Sequence, residues 1–312
     1  MHGLHGCGLK FTSVVFFMAN RQTIMNNLTR RVSKSKLGKL FKGYQQLREA
    51  NYISSHFGSY LTPVMADSHE LRDSVFKIRH KVYCEELKFE PVAPNGLEID
   101  EFDHFSRHCL IRHLNSNALA GTVRIVRPQR DHEQLPIEKY CLNSITRQDL
   151  NPSNFARQDI CEISRLAVPA EFRRRQMDRF AGAATGVINQ QAYSETEMRC
   201  FPFIAVGLYF AAAATGIESN IAHAFVMMEP RLARSMSFVG IKFEQIGPVV
   251  DYHGKRAPYY INRELLMNNI KPGFALMLDS IRQDIRHQLP ATETFFDQEL
   301  KPLGEPLNRM AL

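Results

Sequence analysis

Residues 160–168 read Ile-Cys-Glu-Ile-Ser-Arg-Leu-Ala-Val and run into Pro169. The branched apolar residues predict a strand, and a proline that cannot donate to a sheet ladder predicts its end. Three polar side chains interrupt it: Glu162, Ser164 and Arg165. A charge inside an otherwise apolar strand is costly unless it is paired or put to use. On a regular strand Glu162 and Ser164 share one face and Arg165 turns to the other, which argues against a simple triad. A bulge would change that geometry.

Upstream, Asp67-Ser68-His69-Glu70 has the form of a capping box, and Leu71, Val75, Ile78 and Val82 follow at helical spacing, so a core helix is predicted over 68–86. The Pro-rich, acidic stretch 90–105 reads as a loop. Residues 108–114 and 119–126, joined by Asn115-Ser116-Asn117, read as a hairpin. After the 160–168 strand, the Ala-rich run 203–217 falls short of the roughly 20 residues of a bilayer span and suits a helix buried on a sheet. Strands are expected at 221–228, 241–246, 249–251 and 257–261. A helix is expected at 230–238, with Pro230 at its first turn and Gly240 after its end. This order predicts a mixed α/β architecture around a central, largely antiparallel sheet flanked by helices.

The 312 residues are 44% hydrophobic and 23% charged, a globular composition that excludes collagen-like, low-complexity and multi-span membrane classes. The net charge of +7 divides unevenly, with nine basic residues and one acid in residues 1–50 and a charge of −1 on the remainder. A globular nucleic-acid-binding role is thereby disfavoured, and no nucleic-acid partner is expected. The predicted organisation is a basic extension (1–51), one catalytic-sized domain (52–265) and a C-terminal helical extension (266–312), with a helix near 274–289. Residues 37–49 form a basic amphipathic pattern. It suits either docking on the domain edge or, through residues 30–50, contact with an anionic membrane or acidic partner. The apolar stretch 14–19 is too short for a convincing secretory leader, and Met18 and Met25 are alternative starts. The six cysteines lack C-x-x-C or metal-ligand spacing, which points to a reducing compartment, no metal site and a cytoplasmic location, with peripheral membrane contact as an option.

Three clusters could carry chemistry: Arg79 with Tyr83 and Phe89; Glu98, Asp100, Glu101 and Asp103; and Arg124 with Glu162, Ser164 and Arg165. Each has a plain alternative. The acidic run suits a solvated loop, Arg79 a surface pair with Glu86 or Asp103, and Arg124 a strand position facing water.

Taken together, Arg79, Phe89, Asp100, Asp103, Arg124, Glu162 and Arg165, in this order, resemble the pattern of acyl-homoserine lactone synthases, a branch of the Gcn5-related N-acyltransferase fold. A closer resemblance spans residues 60–260 and is to the acyltransferases associated with PEP-CTERM/exosortase systems, which are similar to N-acyl amino acid synthases. It rests on I-R-H-K-V-Y-C-E-E (78–86), E-I-D-E-F-D-H-F-S (98–106), G-T-V-R-I-V (121–126), L-P-I-E-K (135–139), E-I-S-R-L-A-V (162–168), F-R-R-R (172–175), M-E-P (228–230) and G-P-V-V-D-Y-H-G-K-R-A-P (247–258). One departure stands out. Where acetyltransferases of this fold carry a Gly-rich pyrophosphate turn, residues 173–178 have no glycine. Arg173, Arg174 and Arg175 there suit an acyl carrier protein's acidic surface and phosphopantetheine phosphate, or simply a solvated turn.

The resemblance implies transfer of a fatty acyl group, expected to be long-chain, from an acyl carrier protein or coenzyme A thioester to the amine of an amino acid or similar small amine, with no resident cofactor. Glu162 is the expected base, with Ser164 and Arg165 beside it. Backbone N–H groups between Leu166 and Val168 would stabilise the oxyanion. Arg79, Asp100 and Asp103 would shape the acceptor pocket and order the 90–105 loop, while Tyr83 and Phe89 supply apolar wall. Arg124 and Arg165 are expected either to bind an acceptor carboxylate or to anchor Glu162. The acyl chain is expected along the 203–217 helix, and Cys161 is expected to be structural. The rival readings are a homoserine-lactone-type or other lipid-forming N-acyltransferase, a short-chain coenzyme A acetyltransferase, and a non-enzymatic membrane- or partner-binding module.

Overall fold

In the computed structural model the described residues are 54–173 and 203–289. The basic 37–49 segment, Arg174 and Arg175 lie outside them. The chain enters through a helix over residues 54–60 and then β1 (Leu61–Met65). Next comes α1 (His69–Arg79), started by Ser68, whose side chain accepts the Leu71 N–H at 3.3 Å. The expected helix to residue 86 changes character at His80: His80–Glu86 is a π-helix, closed by the Leu87 N–H on the Val82 carbonyl. Apolar spacing over one or two turns does not distinguish a 3.6-residue from a wider repeat, so the sequence could not show this.

The hairpin forms as β2 (Ser106–His113) and β3 (Leu119–Val126). Then follow α2 (Pro136–Cys141), β4 (Ile160–Ala167), α3 (Ile204–Glu218), β5 (His223–Met228) and α4 (Pro230–Val239). The expected strand at 241–246 shortens to β6 (Glu244–Gln245). The cause lies in the end of α4. Gly240 takes φ 97°, its N–H bonds the Ser237 carbonyl, and the Ile241 N–H reaches back to Met236, so residue 241 completes a helix stop instead of a ladder. The chain continues with β7 (Val250–Asp251), β8 (Lys255–Asn262), α5 (Arg263–Asn269) and α6 (Pro272–Gln288).

The eight strands of the described residues form one mixed sheet ordered β1-β2-β3-β4-β5-β8-β6, with β7 also on β8. Every pairing is antiparallel except β4 with β5. Alternation along the strands gives the sheet two unlike faces. Cys109, Val123, Ile125, Ile163, Val226, Ala257 and Tyr259 point into an apolar core that α3 and α6 complete with Leu208, Phe210, Met277 and Ile281. The opposite face carries His108, Arg124 and Ser164 directly across three strands, with Val126 and Glu162 in the next row.

The αL stop at Gly240 is also tightly packed, since a Cβ there would strike the Asn269 carbonyl and the backbone of Ile270. Gly240→Ala should therefore destabilise the protein by more than about 1 kcal/mol, read as a lower urea midpoint with an unchanged m-value.

Candidate active site

Strand β4 is bulged. Arg124 pairs with Ser164, but Thr122 pairs with Ala167, so β4 holds one extra residue. Arg165 takes it up at φ 48°, a left-handed conformation rare for a side chain of its size. The regular-strand expectation that separated Arg165 from Glu162 is thereby corrected: Glu162, Ser164 and Arg165 line one pocket.

Around them a buried charge network closes. Arg79, wholly buried, is no surface residue: its Nε donates to Glu98, and Nη1 and Nη2 donate to the two oxygens of Asp103 at 2.6 and 3.1 Å. Arg124, 1% exposed, donates to Ser164 Oγ (3.0 Å), Asp100 (2.5 Å) and Asp103 (3.1 Å). Arg165 donates to Glu98 and Glu90 at 3.1 Å each and lies 3.2 Å from Asp100. The acidic loop is accordingly a set of counter-ions rather than a solvated stretch. It folds as Glu101–Phe105, a 3₁₀ turn in which Asp100 accepts the Phe102 N–H (3.0 Å) and Asp103 accepts the Asp100 N–H (2.8 Å). Burial works to raise the pKa of Asp103, yet the guanidiniums of Arg79 and Arg124 outweigh it and hold the carboxyl well below its usual range. Burial drives neighbouring His108 down to about 3, so it stands neutral 3.6 Å from Asp103.

Glu162 is 2% exposed. One oxygen accepts the Ile137 N–H at 2.6 Å, in the first turn of α2. Burial pushes its pKa up to about 8, against the opposing pull of that N–H and of Arg124. This is the range in which a carboxylate serves as a base near neutral pH. Arg124 and Arg165 are held by Asp100, Asp103, Glu98 and Glu90, and no direct bond joins either to Glu162 among the described residues.

The Glu162 recess, about 50 Å³, shares Arg124, Arg165, Tyr252 and His253 with a polar cavity of about 360 Å³ floored by Glu98 and Asp100. The larger cavity is of small-molecule size. Tyr83 does more than form wall: its hydroxyl donates to the Leu166 carbonyl at 2.8 Å, and Arg165 lies 5.5 Å over its ring. Phe89 lines the recess beneath Arg256. Leu166 and Val168, half-buried, pack against the core just past the point where β4 leaves β5, since the parallel pairing ends at Glu162 and Phe225. Through the sheet, an apolar cavity of about 60 Å³ sits between β4, β5 and the small residues Ala212, Ala213 and Gly216 of α3. Cys161 faces that side, and burial pushes its thiol up to about 12, which leaves it inert. Arg173 is clamped by Glu86, which also accepts the Ala170 N–H (3.1 Å). Glu90, His108, Tyr252, His253 and Arg256 belong to the site without having been predicted. The string at 247–258 was visible, but only the β7–β8 hairpin brings it here.

No group of side chains arranged for a metal ion occurs among the described residues, and no helix among them is long and apolar enough to cross a membrane.

Residues 78–182 match the acetyltransferase (GNAT) domain family. With the mixed sheet and helices described above, this defines the class: an acyltransferase built on the GNAT fold. No curated protein matches the sequence. Among solved structures, the chain is similar to TofI in a ternary complex with an inhibitor and MTA (13% identity, TM-score 0.48, covering 69% of this chain and 99% of that one). It is also similar to FeeM, an N-acyl amino acid synthase from uncultured soil microbes (15%, 0.45, 67% and 94%), and to the AHL synthase LasI (14%, 0.42, 68% and 96%).

Two outcomes follow from the network. Asp103→Asn leaves Arg79 and Arg124 short of a buried counter-charge and should cost about 3–5 kcal/mol in urea unfolding. Glu162 has its folded pKa raised from 4.5 to about 8, so the stability it contributes is present below pH 4.5 and is lost as pH rises through about 8. Glu162→Gln should flatten that decline in melting temperature measured across the same window.

Proposed function

We propose that this protein transfers a long-chain fatty acyl group from an acyl carrier protein or coenzyme A thioester to the amine of an amino acid or similar small amine. The observation that carries the reading is the place of Glu162: a buried carboxyl, pushed up to about 8, on the polar face where β4 and β5 part. On this reading the amine enters from the polar cavity and the acyl chain occupies the apolar side along α3.

An ammonium cannot attack a carbonyl, so Glu162 takes its proton, directly or through water. The amine lone pair forms the C–N bond as the thioester C=O electrons move to oxygen, and N–H groups between Leu166 and Val168 stabilise that oxyanion. Collapse breaks the C–S bond. The sulfur leaves with its electron pair and takes the proton from Glu162, while the nitrogen gives up its second proton to water, so the products are an amide, a free thiol and one released proton. Ser164 and Arg165 act by position: Ser164 holds Arg124, and Arg165 ties the bulge to Glu98 and Glu90. No covalent enzyme intermediate is needed, in keeping with the inert Cys161.

Arg173 engages Glu86, so contact with the carrier's phosphate falls chiefly to Arg174 and Arg175 in this proposal. The protein is proposed to work in the cytoplasm, in an exosortase-associated setting, with residues 30–50 touching the inner membrane surface. A homoserine-lactone-type or other lipid-forming product is the alternative, and product mass distinguishes them.

With palmitoyl thioesters as donors and thiol release as the readout, Glu162→Gln should lower kcat by roughly 100-fold or more. The wild-type kcat/KM, which reports the free enzyme, should climb with pH through about 8, because only the charged carboxylate accepts a proton, and this limb should vanish in the variant. Wild-type turnover and pH profile in Glu162→Gln would exclude it as the base.

A further inference from the structure

Among the described residues, four arginines surround the polar site, and three of them are satisfied. Arg79, Arg124 and Arg165 are each held by at least two carboxylates. Arg256 is different. It opens β8 opposite Val250 of β7, and strand alternation sends Ala257 and Tyr259 into the core while Arg256 lines the Glu162 recess. Its guanidinium lies 5.9 Å from the centroid of Phe89, a ring that in turn meets His253. Among the described residues, the buried Arg256 Nε has no hydrogen-bond partner and no carboxylate lies within ion-pairing distance of the side chain.

A buried guanidinium donor without an acceptor is a standing cost, and one that shares a recess with the proposed base points to an acceptor supplied by the ligand. The planar fork of arginine matches a carboxylate in a two-point contact, and the Phe89 ring lies 5.9 Å from the guanidinium carbon. The recess holds about 50 Å³, room for one small group and not for a chain. In an α-amino acid the amine and the carboxylate are separated by a single carbon, so an amine presented to Glu162 brings its carboxylate into the same recess.

We infer that Arg256 binds the carboxylate of the acceptor and thereby restricts the enzyme to amines bearing one, α-amino acids foremost. Arg124 and Arg165, the residues expected to do this from the sequence, are engaged by the protein's own acids. The inference rests on the acyl-transfer reading and deepens it.

The test uses the full chain, palmitoyl-coenzyme A and palmitoyl-acyl carrier protein as donors, and two acceptor pools: the protein amino acids, and their methyl esters, which keep the amine and lose the negative charge. Wild type should prefer the acids by about 30-fold or more, as a charged two-point contact provides. Arg256→Gln should raise KM for the acids by a similar factor while KM for the donor and the rate on the esters stay put, and Arg256→Lys should fall between. Equal use of acids and esters by wild type would overturn the inference and leave acyl transfer standing. So would a variant whose KM rises for the donor instead, since Arg256 would then serve the thioester's phosphates. Transfer to neither pool would overturn the acyl-transfer reading together with the inference. Should Arg256→Gln fail to fold, Arg256→Lys decides alone: undiminished discrimination against the esters with an unchanged KM for the acids would overturn the assignment.

Discussion

The wholly buried guanidinium of Arg79 is the constraint on which the rest of the site depends. Placed by α1 against the polar face of the sheet, it cannot be left without counter-charge, because a desolvated cation is tolerated only when it is paired and hydrogen-bonded. Glu98 and Asp103 supply that pairing from the 90–105 loop, and Asp103 is shared with Arg124 of β3. The loop therefore has little choice of path. Its 3₁₀ turn, its Asp100 cap and the floor of the larger cavity all follow from delivering two acids to one arginine.

The second constraint is the extra residue in β4. Without it, Arg165 would project into the apolar core on the far face. With it, Arg165 joins the acids on the near face and Tyr83 can reach the Leu166 carbonyl. The same strand runs beside β5 only as far as Glu162, so the sheet opens at the residue whose carboxyl is most perturbed. Polar cavity, opening and apolar cavity are thus consequences of one strand's alternation, interrupted once.

Much of this was legible in the sequence. The caps at Ser68 and Gly240, the hairpin, the strand at 160–168 and the buried Ala-rich helix all follow from local propensity and periodicity, and the resemblance gathered Arg79, Asp100, Asp103, Arg124, Glu162 and Arg165 into one site. The bulge was not legible, because no glycine or other local signal marks Arg165 for a left-handed conformation; tertiary ion pairs hold it there. The π-helix at His80–Glu86 has the same apolar pattern an α-helix would show. Glu98 reads as one acid among several until Arg79 and Arg165 select it. Arg256 is separated from Glu162 by almost a hundred residues of chain, and only the order β4-β5-β8 makes them neighbours.

The perturbation of Glu162 also bears on how such a site stays stable while empty. Burial outweighs both the Ile137 N–H and Arg124, so below about pH 8 the carboxyl is mostly neutral and the fold does not have to hold a bare negative charge beneath the sheet. Under the proposed reading the acceptor arrives as an ammonium ion. A cation placed in that recess favours the charged carboxylate by the same Coulombic argument that lowers Asp103 between its arginines. Transfer of the acceptor's proton to Glu162 then converts an ion pair into two neutral groups, a free amine beside a carboxylic acid, in surroundings where separated charge is expensive. On this reading the same burial that makes Glu162 a poor anion without substrate makes it an effective proton acceptor once the substrate brings the compensating charge.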